Sequence, residues 1–371
     1  MLEFRLMILG TARLGRALSK PILLVTGVLL FAGCQRESTI VQLHDIVSTD
    51  TTAARSQEFN PRLMRRFASI HRVIEWQDLK RIKLGRILYF EPLLSVNGRL
   101  SCNSCHPLDR YGTTAQRFDR GVDGQRVRRN TPSVYNVAGQ FRQFWDGAAR
   151  TLDEQALQHL INPAILGTTS ERLEQALRAV PGYRAAFRDA FPAQAEPVTV
   201  ANVAAALSVF ERGLITPSRW DRYLDGDPAA LTDSEQAGAR LFANIGCLEC
   251  HTGAFVGGAM FAKVGRVTPW PNQTDHGRYE ITRDLADDMM FKVPSLRNVA
   301  RTGPYFHDGS AASLQAAVRA MAVHQLGMYP SDAQVQSIVE WLSSMTGDLP
   351  EDYIEPPTLP PATRPPQEQR P

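Results

Sequence analysis

The sequence predicts a mainly α-helical protein built from two domains. Its 371 residues are too many for one small domain and suit two of ordinary size. Hydrophobic residues make up 43% of the chain and charged residues 21%, which is enough apolar material for packed cores. Apolar residues recur at helix-like spacing in several segments, and no useful strand pattern accompanies them. The predicted fold class is therefore mainly α.

The charge balance of the chain argues against nucleic acid as a partner. The formal net charge is +3, but residues 1–33 hold four basic residues and one acidic residue, so the rest of the chain is balanced. Binding to phosphates needs clustered Lys and Arg residues, and the chain has no run of them. We therefore exclude the nucleic-acid-binding class.

The N-terminus has the pattern of an export signal. Residues 21–31 are an apolar run behind scattered positive charge, too short to span a bilayer and well matched to a signal-peptide core. Small residues precede Cys34, which resembles the lipobox of bacterial lipoproteins, and Gln35 resembles the outer-membrane sorting pattern. We expect residues 1–33 to be a lipoprotein signal peptide and Cys34 to anchor the protein to the outer membrane from the periplasm. The alternative is an ordinary cleaved signal that leaves an unpaired cysteine.

Both ends of the predicted folded body are expected to be extended. Residues 34–60 are polar and turn-rich, as in a tether between an anchor and a domain. Residues 350–371 contain eight prolines, which block helix and sheet pairing. We therefore predict a disordered Pro-rich tail over 350–371.

The four remaining cysteines fall into two pentapeptides, residues 102–106 and 247–251, which both read CxxCH. In this motif two thiols add across the haem vinyl groups, and the adjacent histidine ligates the iron. A zinc site made of two CxxC pairs, or two disulfides, are the alternatives, but neither requires a histidine after each pair. We therefore predict two covalently bound haem c groups. The cysteines that would attach them are Cys102, Cys105, Cys247 and Cys250.

A helix is predicted before each CxxCH motif, as a haem pocket in a small helical cytochrome domain requires. Apolar residues recur at helix-like spacing over 74–88, and Pro92 stops the run. Residues 232–235 have the capping-box form and start a helix that is expected to end near Gly246.

Three further helices are expected from periodicity and caps. They cover 170–180, 200–212 with Thr199 as the N-cap, and a final segment that begins with a capping box at 331–334. The segment 225–228 has the composition of a linker. It divides the body into two cytochrome c-like haem domains, residues 61–224 and 225–349.

Short motifs around the two pentapeptides resemble the bacterial di-haem cytochrome c peroxidase and MauG family. They match in order and spacing over about residues 78–346. The motifs are Leu84–Arg86, Arg129–Ser133, Phe144–Gly147, Val293–Val299 and Pro304–Gly309. The resemblance implies that the N-terminal haem meets peroxide and that the C-terminal haem relays electrons. It also implies a calcium ion between the domains and a tryptophan between the haems.

The resemblance assigns roles to individual residues. His106 and His251 would be the proximal iron ligands, and Trp145 would be the inter-haem aromatic residue. Met321 lies 14 residues after His307 of the HDG motif, where the peroxidases have the distal ligand of the second haem. A thioether ligand favours reduced iron and raises the potential, which suits a haem that accepts electrons.

The resemblance also places a calcium site. Its positions map to Asn130, Thr302 and Pro304, the last two through backbone carbonyls. Oxygen ligands suit this hard cation. The alternative is that these residues only form a turn.

The sequence departs from the family pattern where peroxide would be split. Peroxidases of this family carry a Glu 20 residues after the tryptophan, and this chain has Ile165 there. A positioned acid or base typically contributes about 10²- to 10⁴-fold, and isoleucine cannot carry a proton. His159 is the predicted catalytic substitute, although a lone helical histidine is often structural, and water or a haem propionate are alternatives. Val122 lies near the usual position of a distal histidine, so we expect the first haem to be five-coordinate and open.

The resemblance predicts a periplasmic di-haem peroxidase that reduces hydrogen peroxide with electrons from a cytochrome c or cupredoxin donor. One alternative is a MauG-like enzyme that oxidises a protein; those enzymes use Tyr where this chain has Met321. A second alternative is a non-catalytic electron-transfer or haem-sensing protein, which Ile165 favours. A homodimer is a further expectation, since the family often forms dimers.

Overall fold

A computed structural model describes residues 64–71 and 78–361, all within one compact unit that spans Phe59–Pro371. The predicted signal peptide, the lipid-anchor cysteine Cys34 and the tether lie outside the described residues, as do residues 362–371. In the described part of the chain, no helix combines the length and hydropathy needed to cross a membrane.

The described chain is mainly α-helical, as predicted. In the first half, the helices are α1 (Leu79–Tyr89), α2 (Cys102–Cys105), α3 (Leu152–Ile161), α4 (Ser170–Ala179), α5 (Pro181–Ala190) and α6 (Val200–Arg212). The later helices are α7 (Arg219–Leu224), α8 (Asp233–Asn244), α9 (Tyr279–Thr282), α10 (Leu314–Met321), α11 (Asp332–Ser344) and α12 (Glu351–Ile354). Short 3₁₀ turns join them, and a π-helical turn over Ala322–Leu326 follows α10.

The predicted helix starts are confirmed because the capping side chains bond where the sequence places them. The Thr199 hydroxyl accepts from the Asn202 backbone N–H at the start of α6. Capping boxes open α8 at Thr232 and α11 at Ser331. The predicted helix over 170–180 ends at Ala179, and a further helix, α5, begins directly at Pro181. Proline is tolerated in the first turn of a helix because the backbone N–H that it lacks would have no partner within the helix there.

Two hydrophobic cores organise the described chain. The first is built around α1 and α3–α6, and the second around α8 and α11. The second core also includes Phe67 and Trp220, and the first includes Tyr353. Each core thus recruits residues from beyond the predicted ranges 61–224 and 225–349, whose boundaries stay a prediction.

Two features differ from the sequence-based expectations. Strands β1 (Phe261–Lys263) and β2 (Met290–Lys292) pair antiparallel. Each has only three residues, which is too few for an alternating apolar and polar pattern to be recognised in the sequence. The prediction of an extended tail is wrong at its start, because α12 forms there and Tyr353 stacks on Phe210 at 5.1 Å. The Tyr353 hydroxyl also donates to the Phe210 carbonyl at 2.8 Å. These long-range contacts hold the segment in place, and they cannot be read from proline content.

Candidate functional site

Both CxxCH motifs open on one continuous cavity of about 870 Å³, which we call the shared cavity. It lies between the two cores and takes residues from both. Every residue selected from the sequence as a site residue lines it. They are Cys102, Cys105, His106, Asn130, Trp145, His159, Ile165, Cys247, Cys250, His251, Thr302, Pro304 and Met321. Val122 does not line it; its N–H donates to the Ile165 carbonyl at 2.9 Å.

The first motif is held by a short helix with a reciprocal cap. Ser101 and Ser104 form the capping box of α2, which places Cys102 and Cys105 one turn apart on the same side. His106 follows directly, and its Nδ1 lies 3.2 Å from the Gly112 carbonyl oxygen. When Nδ1 donates to that carbonyl, Nε2 keeps its lone pair and can bind a metal. Burial lowers the pKa of His106, which keeps the ring neutral.

The second motif reaches the same arrangement through a different turn. Cys247–Glu249 form a 3₁₀ turn after Gly246, whose φ of 103° suits glycine. The Nδ1 atom of His251 lies 3.2 Å from the Val256 carbonyl oxygen, so its Nε2 is also left for a metal. Burial lowers the pKa of His251 to about 4. Both histidines are therefore neutral potential ligands.

The wall of the shared cavity fits a covalently bound haem at each motif. None of the four motif cysteines forms a disulfide, so each thiol is available for thioether attachment. His307 offers a further polar atom, because its buried Nε2 has no hydrogen-bond partner. Its ring stacks on Phe291 at 4.1 Å between centroids. An unpartnered buried nitrogen in a wall that is mostly apolar suits a carboxylate of a bound group.

Trp145 lies in a turn that ion pairs hold in place. Its indole N–H donates to the Asn130 carbonyl at 2.9 Å, and its ring meets His307 edge-on at 6.3 Å. Arg129 pairs with Asp146, and its Nε lies 2.6 Å from an Asp275 carboxylate oxygen. Burial would raise the pKa of Asp275, but the bond from the Arg129 guanidinium brings it down to about 2. The turn is therefore fixed by charges that persist across the physiological pH range.

Of the predicted calcium positions, Asn130 is hydrogen-bonded directly to Trp145, and Thr302 and Pro304 line the same cavity. The Asn130 backbone N–H donates to the His307 carbonyl at 2.7 Å, and its side-chain amide donates to the Gln116 and Arg117 carbonyls at 3.2 Å each. Over the ranges that the structure describes, no group of three or more Asp, Glu, His or Cys side chains could hold a metal ion. A cation here would therefore depend on amide and carbonyl oxygens, as the predicted set does.

His159 faces the first motif from α3. Its ring centre lies 6.4 Å from that of His106, and its Nδ1 lies 2.5 Å from the side-chain amide of Gln155. Phe144 meets the His159 ring edge-on, at 5.1 Å between centroids. Burial and the neighbouring His106 lower the pKa of His159 to about 3. Sequence reasoning missed Gln155, although its position four residues before His159 on a helix was a usable signal.

Two further residues that line the shared cavity are Glu211 and Met321. Glu211 lines the shared cavity, and burial followed by the charge of Asp153 raises its pKa to about 8. Nothing in its local sequence indicated that environment. Met321 ends α10 just before the π-helical turn, a distortion that is frequent at functional sites.

The chain has several relatives of known identity. Residues 79–229 match the family model described as di-haem cytochrome c peroxidase. Cytochrome c551 peroxidase of Nitrosomonas europaea is 40% identical, over 76% of this chain and 83% of that protein. Methylamine utilization protein MauG of Methylorubrum extorquens is 33% identical, over 64% of this chain and 67% of that protein. The crystal structure of a MauG-like protein associated with microbial copper homeostasis superposes with a TM-score of 0.68 at 27% identity, covering 78% of this chain and 96% of the other.

Proposed function

The chain belongs to the di-haem cytochrome c peroxidase and MauG family, and on that premise we propose that it reduces hydrogen peroxide with electrons from a periplasmic cytochrome c or cupredoxin. The observation that carries the proposal is the shared cavity, which two CxxCH motifs, two neutral histidines and Trp145 all line. Bound haem would supply redox-active iron at both motifs.

His106 would hold the iron that meets peroxide. Near His106 the shared cavity is lined by His159 and Gln155, and position 165 carries isoleucine and no carboxylate. Reducing peroxide to water requires protons at the leaving oxygen, so a side chain or water must deliver them. We assign that task to His159, whose ring lies nearest to His106 on α3.

The second motif would be the point of electron entry. His251 and Met321 would bind the iron there, and the thioether would keep its potential high enough to accept electrons from the donor. Trp145 would carry electrons between the two sites, because it lines the shared cavity and its turn is fixed by Arg129 and Asp146. A calcium ion held by Asn130, Thr302 and Pro304 would further fix this region.

The predicted periplasmic location is consistent with peroxide reduction by a protein with covalently bound haem. An export signal and a lipid anchor at Cys34 would place the protein at the periplasmic face of the outer membrane, where thioether attachment and soluble electron donors are both found. A homodimer remains part of the proposal.

Steady-state peroxide consumption by the protein loaded with both haems tests the proposal, with reduced mono-haem cytochrome c as the donor. We expect peroxide-dependent oxidation of the cytochrome, and Trp145→Phe should slow electron transfer between the sites in stopped-flow traces. Absence of turnover by a protein with both haems would instead favour the electron-transfer alternative, which Ile165 supports.

The substitution Ile165→Glu tests the proton path separately. If proton delivery limits the rate, turnover should rise, with about 10²-fold as the low end of what a positioned acid contributes. Unchanged turnover would mean that another group, such as His159, already supplies the proton.

A further inference from the structure

The rings of His106 and His159 are spaced as two axial ligands of one iron would be. Their centres lie 6.4 Å apart and their planes make an angle of 45°. Two imidazoles bound on opposite sides of one metal have centres about 6.2 Å apart, because a metal–nitrogen bond is about 2 Å long and each nitrogen lies about 1.1 Å from its ring centre. The observed spacing matches that of two histidines bound to one iron.

The Nδ1 atom of each ring already has a hydrogen-bond partner. The Nδ1 atom of His106 faces the Gly112 carbonyl at 3.2 Å, and that of His159 faces the Gln155 amide at 2.5 Å. The Gln155 amide can present its oxygen instead of its nitrogen, since the two ends have nearly the same shape. Nδ1 of His159 then donates to that oxygen, and Nε2 keeps the lone pair that binds a metal.

In this conformation the same distance leaves no room for peroxide between His159 and an iron held by His106, so His159 can deliver the proton assigned to it above only after its ring has moved. An acid or base must lie about 2.6–3.2 Å from the atom it serves, so a peroxide molecule between the iron and His159 would push the ring centres to roughly 8 Å or more. Phe144 meets the His159 ring edge-on, with 5.1 Å between the ring centres. Peroxide can enter only when His159 moves away.

We propose that His159 is the sixth ligand of the iron held by His106, so that the first haem is six-coordinate and closed in the resting protein. The inference rests on the proposed haem attachment at Cys102 and Cys105. It replaces the expectation, drawn from Val122, that this haem is open. The ligand comes from α3 and not from the segment around Val122, whose N–H is bonded to the Ile165 carbonyl.

Low-temperature EPR and absorption spectra of the ferric protein with both haems test the proposal. We expect two low-spin signals in the wild type. His159→Ala should convert one of them to a high-spin signal, and added imidazole should restore it. The control Met321→Ala should change only the other signal. Binding of cyanide to the first haem should be slow in the wild type and at least tenfold faster in His159→Ala.

Each outcome decides a different point. A high-spin signal in the wild type that His159→Ala leaves unchanged, or a low-spin first haem that persists in His159→Ala, would overturn the ligand assignment. His159→Gln, which is close in size, serves the same test if the alanine variant does not fold. If the spectra change as expected but neither the wild type nor His159→Ala consumes peroxide, the ligand assignment stands and the proposed function fails. A protein without covalent haem would defeat both.

Discussion

In both halves of the molecule, the helix that precedes the CxxCH motif packs closely against a second helix. In the first half, α1 precedes the motif and packs on α6; in the second, α8 precedes the motif and packs on α11. A glycine lets each pair of helices approach closely. A Cβ atom at Gly85 would lie 2.0 Å from the Ala206 carbonyl oxygen, and one at Gly238 would lie 2.0 Å from the Ser337 carbonyl oxygen.

The halves differ in what they place around that common frame. The first sets a histidine, His159, opposite its motif and buries Glu211, for which no Arg or Lys partner is found among the described residues. The second offers the thioether of Met321 and pairs its buried carboxylate, Asp221, with Arg297 at 2.6 Å. The same arrangement of two packed helices can therefore present motifs with different surroundings. The residues that differ, His159 and Met321, come from α3 and α10, which are not part of either helix pair.

The largest expected effect comes from breaking the ion pair of the second half. The Arg297 side chain is fully buried and that of Asp221 is 3% exposed, and Asp221 also accepts from the Ile70 N–H at 2.8 Å. Asp221→Ala should lower the free energy of unfolding by about 3–5 kcal/mol in urea titrations of the protein with both haems, because it leaves the buried Arg297 guanidinium without its counter-charge.

The control for this change is Asp332→Ala, which removes the partner of Arg319 at a position that is 96% exposed. It should change the same quantity by less than about 1 kcal/mol. If Asp221→Ala and Asp332→Ala changed the free energy of unfolding equally, burial would not explain the contribution of the Asp221–Arg297 pair.

The thioether of the second half can be removed on its own. Met321→Ala should lower the reduction potential of that haem by on the order of 100 mV, or about 2.3 kcal/mol, since a methionine ligand stabilises reduced iron. Spectroelectrochemical titration measures both haems at once, and the potential of the first haem serves as the internal control. An unchanged second potential would remove Met321 from the ligand set.

The shared helix-packing device can be tested in both halves at once. Gly85→Ala and Gly238→Ala should each lower the free energy of unfolding by about 1–3 kcal/mol, because the added methyl group meets a backbone oxygen that cannot move aside. Helix propensity alone predicts the opposite sign, a gain of about 1 kcal/mol. Stabilisation by either variant in thermal or urea unfolding would therefore show that its helix pair is not in close contact.

The unpaired carboxyl of the first half predicts a pH dependence. The pKa of Glu211 is raised to about 8 in the folded state, so the folded state holds the proton more tightly than the unfolded state does. Its stabilising contribution is complete below the ordinary pKa of a glutamate and is lost as the pH rises towards 8. Between pH 5 and pH 7 the wild type should lose about 1 kcal/mol per pH unit relative to Glu211→Gln. Parallel curves for the two proteins would contradict this.

Much of the helical fold could be predicted because its signals are local. Thr199, Thr232 and Ser331 start helices through bonds to backbone groups three residues away, so the sequence contains the complete signal. The same holds for the two CxxCH motifs, whose cysteines and histidine are neighbours in the chain. The short sheet and the packing of Tyr353 on Phe210 depend on residues far apart in sequence, and no local pattern contains them.

The sequence by itself determined which residues could hold two haem groups and where the helices that present them begin. Only the tertiary structure decided that both motifs share one cavity and that His159 lies 6.4 Å from His106. The 52 residues between these two histidines include loops whose path is set by long-range contacts, such as that between Asn130 and His307. Spacing in sequence specifies an arrangement only across a few residues of one helix or turn, whereas the groups that face each other across a cavity are set by how separate elements pack.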